Sequence, residues 1–299
     1  VADWDDLKVF LAVARGESLS RAGRVLKLDA ATVGRRVTRL EEALGARLFT
    51  RSPQGYQLSD EGARLVAHAE AVEAELARAA EALAGPSEGI TGQIRIGAPD
   101  GCANYLLPQV VARIAAVNPG LEVQIVALPR VFNLTRREAD MVISVSKPEQ
   151  GRVIATKITD YRLSLAASRD YLHEAPGLTD LADLKAHRVI GYIPDMIFDR
   201  ELDYLADLGV DQAPLASNSV SVQLNLIRQG AGVGVVHDFA LPAAPGVERV
   251  LTRQFGLTRA FHLVRHADDR HVPRIERFST ALIEGLRAEV ARLEAQSQA

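Results

Sequence analysis

VGRRVTRLEEALGARLFTR, residues Val33–Arg51, contains an amphipathic helix, its stop signal and the start of a strand. Val33, Val37, Leu40 and Leu44 are spaced four, three and four residues apart, which makes one apolar stripe at 3.6 residues per turn. Gly45 stops the helix, because glycine readily takes the left-handed conformation that ends one. Upstream, Asp29 is the predicted N-cap, accepting from backbone N–H groups that the first turn leaves free. At about 100° per residue Arg35 lies almost opposite the stripe, flanked by Ala31, Thr38, Arg39 and Glu42. The helix thus buries one side and presents a basic one.

The pattern extends in both directions. Leu7, Phe10, Leu11 and Ala14 repeat with helical spacing and predict a helix from Trp4 to Arg15, ended by Gly16. Ser18 or Ser20 caps a second, short helix with Ala22, Val25 and Leu26 facing inward, and Lys27–Leu28 is a tight break. Downstream, Arg47–Arg51 and Tyr56–Leu58 are β-like stretches around the turn residues Ser52–Pro53–Gln54–Gly55, a hairpin wing. Two short helices, a turn, an arginine-faced third helix and a wing form a winged helix-turn-helix. In that arrangement the third helix enters the major groove, where an arginine can pair bidentately with guanine. Arg51, at the base of the wing, is placed for a phosphate. Between Arg15 and Arg51 nine basic residues face four acids, in a chain of net charge −3. Such a local basic patch suits the phosphate backbone. The residues expected at DNA are Ser20, Arg21, Asp29, Ala30, Ala31, Thr32, Arg35, Arg36, Thr38, Arg39, Arg51 and Tyr56.

The helices DLKVFLAVA (Asp6–Ala14) and ESLSRAGRVLKL (Glu17–Leu28), the stretch Val33–Arg51 and LSDEG (Leu58–Gly62) together resemble the DNA-binding region of LysR-type regulators. The resemblance implies binding to double-stranded promoter DNA. It departs at the start of the third helix, where the family usually has Ser-Gln-Pro or Ser-Gln-Ser and this chain has Asp29–Ala30–Ala31. The serine often found before the helix arginine is Gly34. The target sequence therefore does not carry over with the fold.

Ser59 is positioned to cap a helix from about Asp60 to Ala84, closed by Gly85–Pro86. Leu65, Ala69, Val72, Leu76, Ala79 or Ala80, and Leu83 alternate spacings of four and three, a heptad-like seam. The alternatives are a helix packed on its own domain and a dimer interface, and the seam favours the dimer. The resemblance implies the same: dimers, and tetramers in many members. It leaves RNA polymerase open as a further partner.

Beyond the linker Gly89–Gly92 strands and helices alternate. Strands are predicted at 93–98, 121–128, 141–145, 163–167, 188–192, 233–236 and 261–265. Helices are predicted at 105–117, 133–137, 198–208, 218–228 and 273–293. Alternation of this kind implies parallel sheets with helices on both faces. Residues Gly92–Ile125, READMVIS (Arg137–Ser144), Gly191–Leu205 and QGAGVGVVHDF (Gln229–Phe239) continue the resemblance to the LysR type. It implies an effector domain of two periplasmic-binding-protein-like lobes. The fold class is α/β, with an N-terminal winged helix-turn-helix, a long linker helix and that two-lobed domain. The expected divisions are 1–59, 60–88 and 89–299, with lobe one at 90–162 and 266–299 and lobe two at 163–265.

Ligands of open α/β sheets sit beyond the carboxyl ends of the strands. That rule nominates Pro99, Asp100, Gly101, Cys102, Arg130, Ser144 and Ser146 on lobe one. On lobe two it nominates Tyr192, Ile193, Asn218, Ser219, His237 and Asp238. Pro99 and Gly101 stand where the family often has serine or threonine, so the usual carboxylate-binding hydroxyls are missing.

Other chemistries find little support. One cysteine, Cys102, permits neither an intrachain disulfide nor a cysteine zinc cluster, in keeping with a reducing cytoplasm. Neither a bilayer-length apolar run nor a signal-peptide pattern is found, so a cytoplasmic protein is expected. Gly230, Gly232 and Gly234 follow a helix and precede a strand, the reverse of a dinucleotide fingerprint. Cys102, His237 and Asp238 contain the residue types of a thiol nucleophile and its base, with nothing to fix their geometry. His262, His266 and His271 do not form a metal motif. No enzyme activity, cofactor or metal is expected. The leading reading is an effector-modulated DNA-binding regulator. The alternatives are redox sensing through Cys102, a solute-binding protein and an enzyme on an α/β scaffold.

Overall fold

The computed structural model describes residues 3–52, 55–83, 89–127, 139–148, 152–197, 199–210, 212–267, 269 and 272–298. The chain divides into two units, residues 1–87 with 268–272, and residues 88–267 with 273–299. No helix among the described residues is long and apolar enough to cross a membrane.

The first unit opens with α1 (Trp4–Gly16), α2 (Leu19–Leu26) and α3 (Ala30–Leu44). Asp3, Ser18 and Asp29 cap them, each side chain accepting from a first-turn N–H. Gly16 lies inside α1. Glu17 ends that helix instead, in the left-handed region at φ 51°. Phe10, Leu11, Val13, Val33, Val37 and Leu40 form the core, with Leu48. The expected stripe thus holds except at its frayed end, where Leu44 is exposed. Val25 does not face inward; it is 77% exposed. The packed side of α2 is centred among Leu19, Ala22, Gly23 and Leu26, and Val25 lies about 100° round from it. The turn between α2 and α3 requires Gly23: a Cβ there would stand 2.4 Å from the Leu28 carbonyl oxygen.

The hairpin β1 (Phe49–Ser52) and β2 (Gly55–Leu58) is antiparallel, with Phe49 opposite Leu58. Glu41 ties it to α3. Its buried carboxylate accepts from the backbone N–H groups of Leu48 (2.7 Å) and Phe49 (3.3 Å) and from Arg47 (3.1 Å). Glu41 therefore serves the fold, holding the strand to the helix. Helix α4 (Asp60–Leu83) follows. Ser59 caps it, accepting from the Gly62 N–H at 3.0 Å while donating to the Arg47 carbonyl at 2.6 Å.

The α4 seam divides in two. Leu65 and Ala69 pack on the core of their own unit, and Arg15 of α1 grips Glu73 through two bonds of 3.2 and 2.7 Å. Val72 and Leu76 remain exposed. The side chains of Ala80 and Leu83 lie outside the described residues. The near half of the seam is thus an intradomain contact, because α1 supplies an apolar partner that periodicity within α4 alone does not reveal.

The second unit begins with β3 (Gly92–Ala98), α5 (Asp100–Tyr105), α6 (Leu107–Ala116), β4 (Leu121–Ala127) and β5 (Met141–Ser144). It continues through β6 (Val153–Ser168), α7 (Arg169–Glu174), β7 (Val189–Gly191), α8 (Tyr204–Leu208), β8 (Leu215–Ala216) and α9 (Val220–Arg228). It closes with β9 (Val233–His237), β10 (Val247–Arg249), β11 (Leu257–His266) and α10 (Pro273–Gln296). The strands form one sheet in the order β4-β3-β5-β11-β6-β9-β7-β8, with β10 on β6. β3 runs parallel to β4 and β5, and β7 runs parallel to β8 and β9. The strands between these groups, β6 and β11, pair antiparallel to each other and to their neighbours β9 and β5. The sheet is therefore mixed, and two long strands cross from one half to the other. A register shift falls between Phe261 and His262, leaving Ile158 of β6 as an extra residue.

Several expected elements change extent. β6 starts ten residues before the predicted strand at 163–167, because its first half carries polar residues on a half-exposed face. The helix expected at 105–117 begins at Asp100 and breaks at Leu106. That expected at 198–208 is a helical turn at Arg200–Leu202 followed by α8. The predicted helix at 133–137 lies outside the described residues. α10 buries Phe278, Leu282, Leu286 and Val290 and packs on α6, where a Cβ on Gly285 would meet Val110 at 2.6 Å.

Candidate nucleic-acid interface and ligand cleft

A groove of about 480 Å³ runs along α3, lined by Ala30, Ala31, Gly34, Arg35, Thr38 and Arg39 together with Tyr56 of the wing. Leu19 and Glu42 complete the lining; six of these nine residues, Ala30, Ala31, Arg35, Thr38, Arg39 and Tyr56, are among those expected at DNA, and Leu19, Gly34 and Glu42 are not. Ser20 and Arg21 are exposed at the start of α2. The Arg51 side chain lies outside the described residues.

The arginines of α3 differ in what holds them. The Arg35 side chain donates to the Thr32 hydroxyl at 2.8 Å, and that hydroxyl donates to Asp29 Oδ2 at 2.7 Å. Asp29 Oδ1 accepts the Thr32 backbone N–H at 2.8 Å. The hydrogen bonds from Thr32, first of the side chain and then of the backbone, pull the Asp29 carboxyl below its ordinary value. One N-cap residue thus closes the helix and braces its exposed arginine. Arg39 is turned toward α1, where Asp6 takes it through two bonds of 2.6 and 2.5 Å. Arg36 stands 3.6 Å from Asp5 and 4.0 Å from Asp6. The N-terminal acids of α1 therefore neutralise part of the basic side, a pairing that local spacing does not reveal because Asp6 and Arg39 are 33 residues apart in the chain.

In the second unit the nominated residues are partly brought together. Asp100, Ser219, Gly101 and His237 converge where α5 meets α9. Asp100 Oδ2 accepts from the Ser219 hydroxyl at 2.9 Å and from the Ser221 backbone N–H and hydroxyl at 3.0 Å each. A Cβ on Gly101 would stand 3.0 Å from Val220 and 3.4 Å from His237. The His237 ring stacks on Tyr161 at 5.4 Å. Burial lowers the His237 imidazole to about 4, against the opposing influence of Asp100, so the ring is neutral near pH 7.

Other nominees are engaged elsewhere. Asp238 is buried, 3.3 Å from Arg249 and 4.0 Å from Arg162. Arg249 also donates to the Ser297 carbonyl at the end of the chain's last helix, so this acid anchors α10. The Ser144 hydroxyl donates to the Ser146 carbonyl at 2.6 Å, and the Ser146 hydroxyl donates to Asp199. Tyr192 is buried edge-on to Tyr204, while Pro99, Ile193 and Asn218 are half-buried. Arg130 lies outside the described residues.

Cys102 is fully buried, and burial pushes its thiol pKa far up. A thiol held protonated is a poor nucleophile, and as the chain's single cysteine it has no partner for an intrachain disulfide. The redox reading is not favoured. Among the described residues no group of three His, Cys, Asp or Glu is placed to hold a metal, and His271 lies outside them.

Sequence reasoning missed Tyr161, Tyr204, Ser221, Phe239 and Phe261. Tyr161 sits in the part of β6 that had not been read as a strand. It stacks on Phe261 at 4.1 Å and meets Phe239 edge-on at 5.7 Å. The alternation of apolar Ile158, Tyr161 and Leu163 with polar Asp160 and Arg162 in the middle of β6 is the signal that the sequence offers.

The comparisons agree with both units. Residues 4–63 match the bacterial regulatory helix-turn-helix protein family, lysR family, and residues 87–287 match the LysR substrate binding domain. The HTH-type transcriptional regulator CrgA of Neisseria meningitidis serogroup C (strain 8013) is 24% identical over 292 residues, spanning 94% of this chain and 96% of CrgA. The HTH-type transcriptional regulator PtxR of Pseudomonas aeruginosa is 27% identical over 300 residues, spanning 98% of this chain and 95% of PtxR. A full-length OxyR variant from Pseudomonas aeruginosa has the same fold, with TM-score 0.72 at 20% identity over 96% of this chain and 98% of the other. With a capped, arginine-faced helix beside a wing in one unit and a two-lobed sheet in the other, the chain belongs to the LysR family of DNA-binding transcriptional regulators with an effector-binding domain.

Proposed function

We propose that this regulator reads promoter DNA through Arg35, with Thr38, Ala31 and Tyr56 beside it, and that a small-molecule effector in the cleft of the second unit modulates that binding. The observation that carries the reading is the Asp29–Thr32–Arg35 relay on the open side of α3. A braced guanidinium loses less freedom when it pairs with a base. Asp29 also does the capping work of the family's usual serine, while Ala30 and Ala31 offer no amide to a base. Arg35 is thus the principal reader here, and Arg36 and Arg39, held by Asp5 and Asp6, serve phosphates.

The proposed divisions are a DNA-binding domain at 1–59, a linker helix at 60–88 and an effector domain at 89–299. Within the last, lobe one is 90–162 with 266–299 and lobe two is 163–265. The exposed Val72 and Leu76 support pairing of two copies along α4, which suits a DNA site of two half-sites. Tetramers and contact with RNA polymerase extend that reading, as does a cytoplasmic location. Action is by binding rather than catalysis: the relatives are regulators, burial keeps the Cys102 thiol protonated, and Asp238 is paired with Arg249. An effector that favours one closure of the two lobes would shift the spacing or bend of bound DNA.

The test is fluorescence anisotropy of the full-length chain with the fragment upstream of its own gene and with random duplex. Tight binding to the first, weakening steeply with salt, is expected. Equal affinity for both fragments overturns the reading.

A further inference from the structure

What kind of molecule the cleft takes is a question that rests on the effector reading above. The nine-residue helix α9 has free backbone donors in its first turn, where an external anion would ordinarily bind. Here the place is filled from within. Asp100 Oδ2 accepts from Ser221 N–H, Ser221 Oγ and Ser219 Oγ at 2.9–3.0 Å. Asp100 Oδ1 accepts from the Asn104 amide at 3.0 Å. The Ser219 hydroxyl also accepts the Val222 N–H at 3.3 Å. Both carboxylate oxygens are occupied, and so are the Ser221 and Val222 N–H groups. Gly101 lets α5 come so close to α9 that nothing else fits between them.

Beside this filled slot are groups that lack partners. The hydroxyls of Tyr161 and Tyr204 are buried and make no hydrogen bond, in residues only 1% and 5% exposed. Tyr161 lies within electrostatic reach of Tyr204, Tyr192 and Cys102, and Tyr192 within reach of Asp100. Two buried hydroxyls without a partner call for an oxygen or a water from outside the chain. The surroundings are aromatic: Phe261 and His237 stack on Tyr161, and Tyr192 stands edge-on to Tyr204 at 5.8 Å. Arg259, whose charge reaches Tyr161 and Tyr204, is already paired with Glu201 at 2.6 Å and Asp207 at 3.4 Å.

We propose that Asp100 is a built-in anion closing the carboxylate slot of the cleft, and that the ligand is a small uncharged aromatic molecule whose hydroxyl or carbonyl oxygen hydrogen-bonds to Tyr161 and Tyr204. A carboxylate in that place brings a second negative charge against Asp100, which like-charge repulsion disfavours. An uncharged ring brings no second charge against Asp100, suits the aromatic surroundings, and its oxygen satisfies the two hydroxyls.

Phenol and benzoate share a ring and differ in the group they present. Titrated calorimetrically into the full-length chain, phenol is expected to bind saturably and benzoate at least tenfold more weakly. Tyr204→Phe weakens phenol at least fivefold while leaving the ligand-free melting midpoint unchanged or raised, since it removes an unpaired hydroxyl. Asp100→Ala empties the slot: benzoate then binds, and acetate raises the variant's midpoint saturably without moving that of the wild type. If Asp100→Ala does not fold, Asp100→Asn keeps the volume and reports the gain in benzoate affinity. Benzoate binding the wild type as tightly as phenol overturns the proposal, as does absence of phenol binding. Where promoter binding still responds to another small molecule, either failure removes only this ligand class. Where promoter binding responds to no small molecule in a metabolite screen, the effector reading fails with it.

Discussion

The Arg39 guanidinium is held by two hydrogen bonds to the Asp6 carboxylate, which is almost wholly buried at the start of α1. A residue that sequence alone assigns to DNA is thus also a brace between the first and third helices. Asp6→Ala is expected to destabilise the first unit by about 1–2 kcal/mol, discounted because Arg39 is half in water. It also releases Arg39 and Arg36 toward phosphates. Affinity for random duplex should rise, and the slope of log affinity against log salt should steepen by about one. Denaturant melts and salt titrations check both effects.

Gly23→Ala places a Cβ 2.4 Å from a backbone oxygen of the α2–α3 turn. Backbone cannot step aside as a flexible side chain does, so a loss of about 1–3 kcal/mol is expected. DNA binding should fall with it, because the turn sets the angle of α3. Gly45→Ala, at φ 63° with open space around it, should cost only about 1 kcal/mol. Thermal melts of the two variants side by side separate steric clash from backbone strain.

The two halves of the α4 seam should respond differently. Val72→Lys with Leu76→Glu leaves the core of the first unit untouched and should shift the chain from dimer to monomer in sedimentation velocity, with unchanged circular dichroism. Ala69→Glu instead buries a charge beside Leu11 and its neighbours and should unfold the first unit. A monomeric wild type at high concentration contradicts the pairing.

His237 gives the second unit an acid sensitivity. Its folded value of about 4 lies below the ordinary 6.5 because burial disfavours the charged ring. The unfolded chain therefore binds the proton first. Stability is complete above pH 6.5 and is lost as pH falls toward 4, by about 3 kcal/mol from this group. His237→Phe should flatten the melting midpoint of the second unit across that window.

The first unit was largely legible in its sequence because its signals are local. Caps, the stripe of α3, the hairpin turn and the left-handed stop at Gly45 all lie within a few residues of what they control. Val25 misled because an eight-residue helix holds too few positions to define its buried side. The pairing of Asp6 with Arg39, and of Glu41 with the strand N–H groups, depends on how helices and strand meet. In the second unit, β6 hid its first half because Val153–Lys157 is half-buried to exposed, with neither a continuous apolar run nor a clean alternation. The filled slot at α9 is hidden for a different reason. Asp100 and Ser221 are far apart in sequence, and only the folded sheet places them together.

The most direct test of the DNA-reading claim compares Arg35→Ala with wild type on the chain's own upstream fragment and on random duplex, at one salt concentration. The structure predicts a loss of about 1–3 kcal/mol on the upstream fragment and little change on random duplex. An equal loss on both would show that Arg35 holds a phosphate and that the braced arginine does not read the sequence.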